Sequence, residues 1–334
     1  MKAIVCHRYD APEALRLEDV DKPTPREGEV LIQVRAASLN AYDWGLMRGR
    51  PLITRMFLGL RRPKATRAGR DVTGRIESVG PGVTQFKPGD DVFGLCRGSL
   101  AEFALASESW LAAKPANVSF EEAAAIPLAG LTALRGLRAG GIQPGQRVLI
   151  NGAAGGVGTF AVQIAKWLGA DVTGVCSTRN VEMVGSIGAD RVVDHTREDF
   201  TRSAQRYDLI FDLVSNHSFS ACRRVLSPRG MLVAAGVGGA DGRRFWRRLG
   251  RMLTGLLISR LTSQSMVFFM SRVSQADLVT LGGLLESRKV TPVVDSRHPL
   301  SETSEAFRRL AGGHARGKIV VTVGGNGRER RRPE

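Results

Sequence analysis

A glycine-rich turn near the middle of the 334-residue sequence carries the residues that most directly predict chemistry. The apolar run Val148–Ile150 predicts a strand, and a helix-forming segment follows it. The turn between them contains Gly155, Gly156, Val157 and Gly158. Glycines here let backbone N–H groups approach a pyrophosphate, and the helix N-terminus adds unpaired donors. The pattern predicts a dinucleotide site, although Ala153 occupies the first glycine position of G-x-G-x-x-G.

The residues after the second predicted strand, DVTGVCS, indicate which dinucleotide binds. A carboxylate at that place would accept hydrogen bonds from the ribose hydroxyls and repel a 2′-phosphate. This sequence instead has Ser177, Thr178 and Arg179, whose hydroxyl and guanidinium groups suit phosphate recognition. We therefore predict NADPH rather than NADH, the alternative being a solvated arginine at a strand end.

Strand-like and helix-like segments are distributed unevenly along the chain. The first 120 residues contain short β-type runs separated by turn signals such as Pro81-Gly82. Apolar strands then alternate with helices, which is typical of βαβ units and a parallel sheet. We predict an α/β fold in which residues 1–120 and 292–334 form a discontinuous β-rich domain. Residues 121–291 form a doubly wound parallel-sheet domain, and a disordered tail begins near residue 325.

The composition, with 43% hydrophobic and 24% charged residues, is typical of a soluble globular protein. No apolar run approaches the roughly 20 residues of a membrane span, and the start lacks the apolar core of a secretory signal. The four cysteines are far apart and predict neither a disulfide framework nor a metal cluster. We therefore expect a cytoplasmic protein.

A net charge of +16 at pH 7 has two interpretations. One is attraction to nucleic acid, an acidic membrane or a phosphorylated ligand, and the other is an arginine-rich solvated surface. Because much of the excess lies in residues 243–260 and in the tail, we do not expect a nucleic-acid partner. Residues 243–260 predict a basic amphipathic helix. Such a helix either contacts an anionic membrane or covers the cleft or a dimer partner.

Several segments in combination resemble one protein family. They are AASLNAYDWGLMRG, GRDVTGRIESVGPGVTQFKPGDDVFG, AAIPLAGLTAL, GAAGGVGTFAVQIAK, GADRVVD and GHARGKIVVTV. Together they resemble the medium-chain dehydrogenase/reductase superfamily, most closely its zinc-independent quinone oxidoreductase and 2-alkenal reductase branch, over nearly the whole chain. In that branch the Ala-Ala-Gly-Gly-Val-Gly turn is usual, so the resemblance accounts for Ala153. It implies a GroES-like catalytic domain, a Rossmann domain, a cleft between them and a homodimer.

The zinc-dependent relatives bind catalytic zinc through Cys, Gly-His-Glu and a second Cys. The matching positions here are Asn40, Gly69-Arg70-Asp71 and Ala129. Asn, Arg and Ala cannot provide the N and S ligands of such a site, and a four-cysteine structural lobe is missing around Cys96. We therefore predict no zinc, and with it hydride transfer to a quinone or to a C=C conjugated with a carbonyl, rather than alcohol oxidation.

The resemblance also implies roles for individual residues. Gly155 to Gly158 would hold the pyrophosphate, with Ser177 and Arg179 at the 2′-phosphate. The further cofactor contacts it implies are His195, Ser215, Gly236, Val237, Arg316 and Lys318. The catalytic residues it implies are Asn40, Tyr42, Asp43 and Thr132. Asn40 and Thr132 would lie near the nicotinamide, and Tyr42 and Asp43 would orient substrate or relay a proton. The alternatives are surface, turn-forming or helix-capping roles for these side chains.

Together these features predict an NADPH-dependent, zinc-free oxidoreductase that transfers hydride to quinones or α,β-unsaturated carbonyl compounds. A second enzymatic hypothesis is a reductase of enoyl thioesters in lipid or polyketide synthesis. A third hypothesis, from a different class, is an RNA-binding or membrane-surface-binding member of the superfamily.

Overall fold

The computed structural model describes residues 1–9, 12–49, 55–60, 63, 67–235, 250, 253–255, 257–259 and 262–324. Four of the features predicted above lie wholly or mainly outside these residues. They are Gly236, Val237, most of the basic segment 243–260 and the tail from residue 325.

Strands predominate up to residue 113, and strands alternate with helices from about residue 147 onward. The strands are β1 (Lys2–Cys6), β2 (Leu15–Asp19), β3 (Glu29–Leu39), β4 (Asp71–Val79), β5 (Asp91–Leu95), β6 (Phe103–Ser107), β7 (Leu111–Ala113), β8 (Arg147–Asn151), β9 (Asp171–Cys176), β10 (Arg191–Asp194), β11 (Tyr207–Asp212), β12 (Leu226–Ala235), β13 (Ser265–Phe269), β14 (Val294–Pro299) and β15 (Lys318–Thr322). The α-helices are α1 (Ala41–Arg48), α2 (Arg55–Leu58), α3 (Phe120–Ala125), α4 (Pro127–Ala139), α5 (Gly156–Trp167), α6 (Val181–Ser186), α7 (Phe219–Arg223), α8 (Gln275–Glu286) and α9 (Thr303–Ala311).

A six-stranded parallel sheet has the order β10-β9-β8-β11-β12-β13. Its strands are apolar runs rather than alternating ones, because helices cover both faces; Val148, Leu149 and Ile150 of β8, for example, are fully buried. Numbered from β8, this is the order 3-2-1-4-5-6 of a Rossmann fold, as predicted. The strand order reverses between β8 and β11, so their carboxyl ends open a crevice where a ligand binds in this fold.

The second large sheet has the order β14-β15-β3-β4-β5-β7, with β6 also paired to β3. It forms the GroES-like part of the mixed α/β fold. Strand β15, from the end of the chain, pairs antiparallel with β3, and Ile319 lies opposite Leu39. This register places the start of β15 beside the end of β3, where Lys318 and Asn40 meet.

Two further observations concern the described residues. No helix among them is long and apolar enough to cross a membrane. The four cysteines, Cys6, Cys96, Cys176 and Cys222, are buried, and none of them forms a disulfide.

Candidate active site

A cleft of about 830 Å³ opens at the carboxyl ends of β8, β9 and β11. Seven of the predicted cofactor residues line it together: Gly155, Gly156, Val157, Gly158, Ser177, Arg179 and His195. Residues 313–315, which precede β15, form the opposite wall. The cleft therefore lies between the parallel sheet and the returning C-terminal segment, as a dinucleotide site in this fold does.

The turn that enters α5 begins at Gly152, one residue before the motif position that Ala153 occupies. Gly152 has φ +91°, a left-handed conformation that favours glycine, directly after β8. A Cβ on Gly158 would overlap the carbonyl oxygen of Gly152 and lie 2.8 Å from the Cα of Ala153. Gly152 thus makes the tight turn, Gly158 allows helix and turn to touch, and Ala153 is fully buried behind them.

Arg179 and its neighbours form the end of the cleft beyond β9. The Arg179 Nη2 donates to the carbonyl oxygen of His314 at 2.9 Å, across the cleft mouth. Asp194 is the last residue of β10, the strand that pairs with β9. It accepts hydrogen bonds from the hydroxyl groups of Thr178 and Thr196, and the bond from Thr178 is the main cause that lowers its pKa to about 2. This carboxylate is therefore already engaged, whereas Ser177 and Arg179 face the cleft.

Three other predicted residues, Ser215, Arg316 and Thr132, are not among the residues that line the cleft. Ser215 has φ +58°, and its N–H donates to the Asp212 carboxylate, so it shapes the loop after β11. Arg316 is exposed, and its N–H donates to Asp295 at 3.0 Å. Thr132 donates its hydroxyl to the carbonyl of Leu128, one turn earlier in α4, at 2.7 Å. The roles proposed for these side chains stay predictions.

A buried polar cluster connects the end of β3 with the starts of β4 and β15. Lys318 Nζ lies 2.5 Å from Asn40 Oδ1 and 3.2 Å from Asp71 Oδ2. Asn40 Nδ2 donates to Asp71 at 2.9 Å and to Asp43 at 3.3 Å. Ser38 donates to the same oxygen of Asp71 at 2.6 Å. The Lys318 side chain is 2% exposed and that of Asp71 is 0% exposed, so this ion pair is fully withdrawn from water.

Lys318 also connects this cluster to the glycine turn. A Cβ on Gly156 would lie 3.0 Å from Lys318 Cδ, so the lysine stem passes directly over that glycine. The adjacent backbone is bonded as well, since Gly317 N–H donates to Ala154 O at 2.9 Å. The resemblance implies that Lys318 closes over the cofactor. In the structure its stem crosses the turn while its ammonium group is directed at Asn40 and Asp71.

Asp43 is a buried carboxyl group of this cluster, and its pKa is raised. Burial, and next the charge of Asp71, raise its pKa to about 7, while Lys318 acts in the opposite direction. Its Oδ2 accepts the N–H of Asn40 at 2.9 Å, and its buried Oδ1 has no hydrogen-bond partner. Two carboxylates and one ammonium group share the site, so a proton on Asp43 makes the cluster neutral.

The substitution Asp43→Asn is expected to change how stability depends on pH. The folded pKa of about 7 exceeds the unfolded value of about 3.9, so the folded state binds more protons between them. The contribution of Asp43 to the free energy of unfolding therefore falls as pH rises from about 4 to 7. The free energy of unfolding of Asp43→Asn minus that of the wild type should rise by roughly 4 kcal/mol over this range. Urea denaturation at a series of pH values measures it. The exposed Asp21→Asn is the control, and a pH-independent difference for Asp43→Asn contradicts the assignment.

Two residues of the site, Asp71 and Asn151, are not predicted from the sequence patterns. Asp71 is the centre of the buried cluster, whereas the sequence shows it only as the residue after Arg70 at a zinc-matching position. Asn151 donates to both Asp212 and Asn216 at 2.9 Å on the cleft floor. Asn151 and Asp212 each end an apolar parallel strand, and that position could have identified them.

The residues at the zinc-matching positions do not fit zinc. Asn40 and Asp71 do come together, but the carboxylate is paired with the Lys318 ammonium group and Ala129 is a buried methyl side chain. The Cys96 thiol lies near Asp71 and Asp43, and burial raises its pKa, so the thiol is held neutral. No cluster of three or more metal-ligating side chains occurs among the described residues. Zinc prefers thiolate and imidazole ligands, and this donor set provides neither.

Two family models match the chain. Residues 26–116 match the model described as an alcohol dehydrogenase GroES-like domain, and residues 187–321 match the one described as a zinc-binding dehydrogenase. The first covers much of the sheet that contains β3, and the second runs from the parallel sheet to β15.

Individual relatives match over nearly the whole chain. The chloroplast envelope quinone oxidoreductase homolog of Arabidopsis thaliana is 34% identical, with 96% of this chain and 98% of that one covered. An NADPH-dependent alkenal/one oxidoreductase of the same plant is 33% identical and covers 96% of this chain and 79% of its own. Among solved structures, the quinone oxidoreductase from Coxiella burnetii has a TM-score of 0.85 and 29% identity, with 97% and 99% covered.

Proposed function

The chain belongs to the medium-chain dehydrogenase/reductase superfamily, in the quinone oxidoreductase branch, and on that premise we propose its reaction and cofactor. It is an oxidoreductase that uses a nicotinamide cofactor and transfers hydride to quinones or α,β-unsaturated carbonyl compounds. The observation that carries this function is the cleft, where the glycine turn of the parallel sheet meets the Lys318–Asn40–Asp71 cluster of the other domain. When bound, the reduced nicotinamide supplies the hydride.

We propose NADPH as the cofactor rather than NADH. Ser177 and Arg179 provide a hydroxyl and a guanidinium group where a carboxylate would favour the free ribose. Asp194 is held by Thr178 and Thr196 and does not replace that carboxylate. Gly155 and Gly156 suit the pyrophosphate of the cofactor, because their backbone reaches the cleft without a side chain in the way.

The substitution Arg179→Ala is expected to remove most of the preference for NADPH. Removing a guanidinium–phosphate contact of about 1.5–3 kcal/mol should lower NADPH affinity roughly 10- to 100-fold. NADH has no 2′-phosphate, so its affinity should stay unchanged. Thermal shift with each nucleotide measures both effects. Arg197→Ala, an exposed arginine beside Asp194, is the matched control. If Arg179→Ala weakens both nucleotides equally, Arg179 does not read the 2′-phosphate, and if neither nucleotide raises the wild-type Tm, the proposed function fails.

We propose that the reaction proceeds without zinc, because the matching positions hold the Asn40 amide and the Asp71 carboxylate, which is paired with Lys318. Both side-chain N–H groups of Asn40 donate hydrogen bonds to carboxylates. Asn40 therefore holds the cluster together rather than offering a free donor to an oxyanion. Tyr42, which is 47% exposed, lies at the start of α1 with the Arg70 guanidinium 5.6 Å from its ring centre. We assign stabilisation of the developing oxyanion to these two side chains.

The direct test is oxidation of NADPH in the presence of quinones, 2-alkenals and enoyl thioesters. Turnover with a quinone or an enone supports the proposal, and absence of turnover with all three classes overturns it.

We further propose a homodimer in a reducing cytoplasm. Strand β13 lies at the edge of the parallel sheet, and the four buried cysteines form no disulfide. These observations support the two points, and the molar mass in solution tests the first. The residues that the structure describes add no observation in favour of nucleic-acid or membrane binding; most of the basic segment 243–260 lies outside them.

A further inference from the structure

A second cavity, which we call the arginine pocket, lies on the β-rich domain and shares no lining residue with the cofactor cleft. Its volume of about 410 Å³ lies within the range of about 300–1,000 Å³ that is usual for small-molecule sites. Three arginines from separate segments line it, Arg26, Arg67 and Arg97, together with one carboxylate, that of Glu29. Two positive charges therefore remain in excess inside a concave surface, which suits an anionic ligand.

The charge of the three arginines is not neutralised by carboxylates of the described part of the chain, none of which forms an ion pair with them. The two carboxylates closest to them in sequence are engaged by backbone N–H groups instead. Glu29 Oε2 accepts the N–H of Arg26 at 3.2 Å, and Glu108 Oε2 accepts that of Thr84 at 3.1 Å. Unpaired guanidinium groups that line one concavity form an arrangement that recognises phosphate or carboxylate.

Arg67 and Arg97 are carried by paired backbone. Arg67 forms a β-bridge with Val5 of β1, and Arg97 forms one with Leu105 of β6. The stem of Arg67 passes over Gly98, which has φ +78°, and a Cβ at that glycine would lie 2.7 Å from the Arg67 Cβ. The backbone of both arginines is thus fixed before a ligand arrives, which lowers the entropy that binding costs.

The remaining lining residues favour phosphate over carboxylate. Thr24, Ser107 and Trp110 line the arginine pocket as well, and their side chains carry further hydrogen-bond donors. The Arg97 guanidinium lies 5.7 Å from the ring centre of Trp110, an aromatic contact that leaves its N–H groups available. A phosphate monoester has three terminal oxygens and up to two charges, so it can use several such donors at once, whereas a carboxylate has two oxygens and one charge.

We propose that the arginine pocket binds a small, soluble phosphate monoester. The phosphate dianion pairs with Arg26, Arg67 and Arg97, and the organic part lies against Pro23 and Leu105, which also line the cavity. A soluble molecule fits better than the headgroup of a membrane lipid, because the charges line a concavity rather than a flat face. The site goes beyond the proposed function and does not depend on it.

The test compares two probes that differ in charge and not in shape. Phenyl phosphate is a dianion at about pH 8, above the second phosphate pKa of about 6, whereas phenyl sulfate carries one charge. Isothermal titration of the wild type in the presence of NADPH should give a Kd at least tenfold lower for phenyl phosphate. Absence of measurable phenyl phosphate binding, or equal Kd values for the two probes, overturns the proposal. This comparison needs no variant and so does not depend on how a variant folds.

Variants of the arginine pocket locate the probe. Arg67→Gln and Arg97→Gln should each raise the Kd for phenyl phosphate roughly 10- to 100-fold, because each removes a charge-assisted contact. Arg202→Gln, an arginine 84% exposed on the parallel-sheet domain, is the matched control and should leave that Kd unchanged. Arg179→Ala, in the cofactor cleft, should leave it unchanged as well. If Arg179→Ala weakens binding and Arg97→Gln does not, phenyl phosphate binds in the cofactor cleft and the proposal is wrong.

Co-sedimentation with vesicles separates a soluble ligand from a lipid headgroup. Vesicles of phosphatidylcholine with and without phosphatidic acid present the same phosphate chemistry at a membrane surface. We expect no binding to phosphatidic acid vesicles that Arg97→Gln abolishes. If such binding occurs while phenyl phosphate does not bind, the ligand is a membrane lipid and the proposal of a soluble monoester is overturned.

Discussion

Replacing Lys318 with methionine is expected to lower the free energy of unfolding by about 3–5 kcal/mol and to reduce kcat on the order of tenfold. Methionine keeps an unbranched stem over Gly156 but removes the only ammonium group that contacts Asn40 and Asp71 among the described residues. The Asp71 carboxylate then remains buried without a positive partner. Because Lys318 lowers the pKa of Asp43, its loss should raise that pKa further. Urea denaturation and steady-state kinetics across a pH series measure these effects.

Two comparisons show whether the effect of Lys318→Met comes from the buried ion pair or from the loss of any positive charge. Lys166 forms an ion pair with Asp190 at 2.7 Å in which both side chains are more than one-third exposed, so Lys166→Met should cost less than about 1 kcal/mol. The double variant Asp71→Asn, Lys318→Met removes both charges and should recover part of the lost stability. An upward shift of the Asp43 pH midpoint in Lys318→Met is a response that lost packing alone would not produce. If Lys318→Met costs no more than Lys166→Met, the cluster does not depend on its buried cation.

The parts of the fold that were predictable are those encoded in short stretches. Apolar runs such as Val148–Ile150 predict buried parallel strands because both faces of that sheet are covered. The glycine turn predicts the dinucleotide site because strand, turn and helix follow one another directly. Even there, matching Ala153 to the first motif glycine concealed Gly152, whose positive φ shows that the turn begins one residue earlier.

The buried cluster was much less accessible from sequence. Asn40 and Lys318 are 278 residues apart, and only the register of β15 against β3 brings them together. A resemblance placed both residues near the cofactor, but it did not indicate that Asp71 joins them or that Asp43 is buried against the same pair. Contacts of this kind depend on tertiary packing, which leaves no periodic signal in the sequence.

Substituting Gly158 with alanine is expected to impair both folding and cofactor binding. Its Cβ would overlap the carbonyl oxygen of Gly152 and lie 2.8 Å from the Ala153 backbone. Because both contacts are with backbone atoms, no flexible side chain can move aside to relieve them. We expect a loss of about 1–3 kcal/mol in stability from the forced backbone shift. Because the shifted turn carries the N–H groups that face the cleft, NADPH affinity should fall at least tenfold, about 1.4 kcal/mol. Thermal denaturation and nucleotide titration by fluorescence measure the two losses.

Two other glycines show whether the effect belongs to this contact. Gly185 lies in α6 with open space around its Cβ position, so Gly185→Ala should be neutral or stabilising by up to about 1 kcal/mol. A Cβ on Gly155 would meet only the Gly152 carbonyl at 3.5 Å, an ordinary contact, but Gly155 lines the cleft. Gly155→Ala should therefore fold normally and still bind NADPH more weakly, because the methyl group projects where the phosphate must approach the backbone. If Gly155→Ala binds NADPH normally, the glycines of this turn serve packing alone. The same conclusion follows if Gly158→Ala loses stability but keeps its affinity for NADPH.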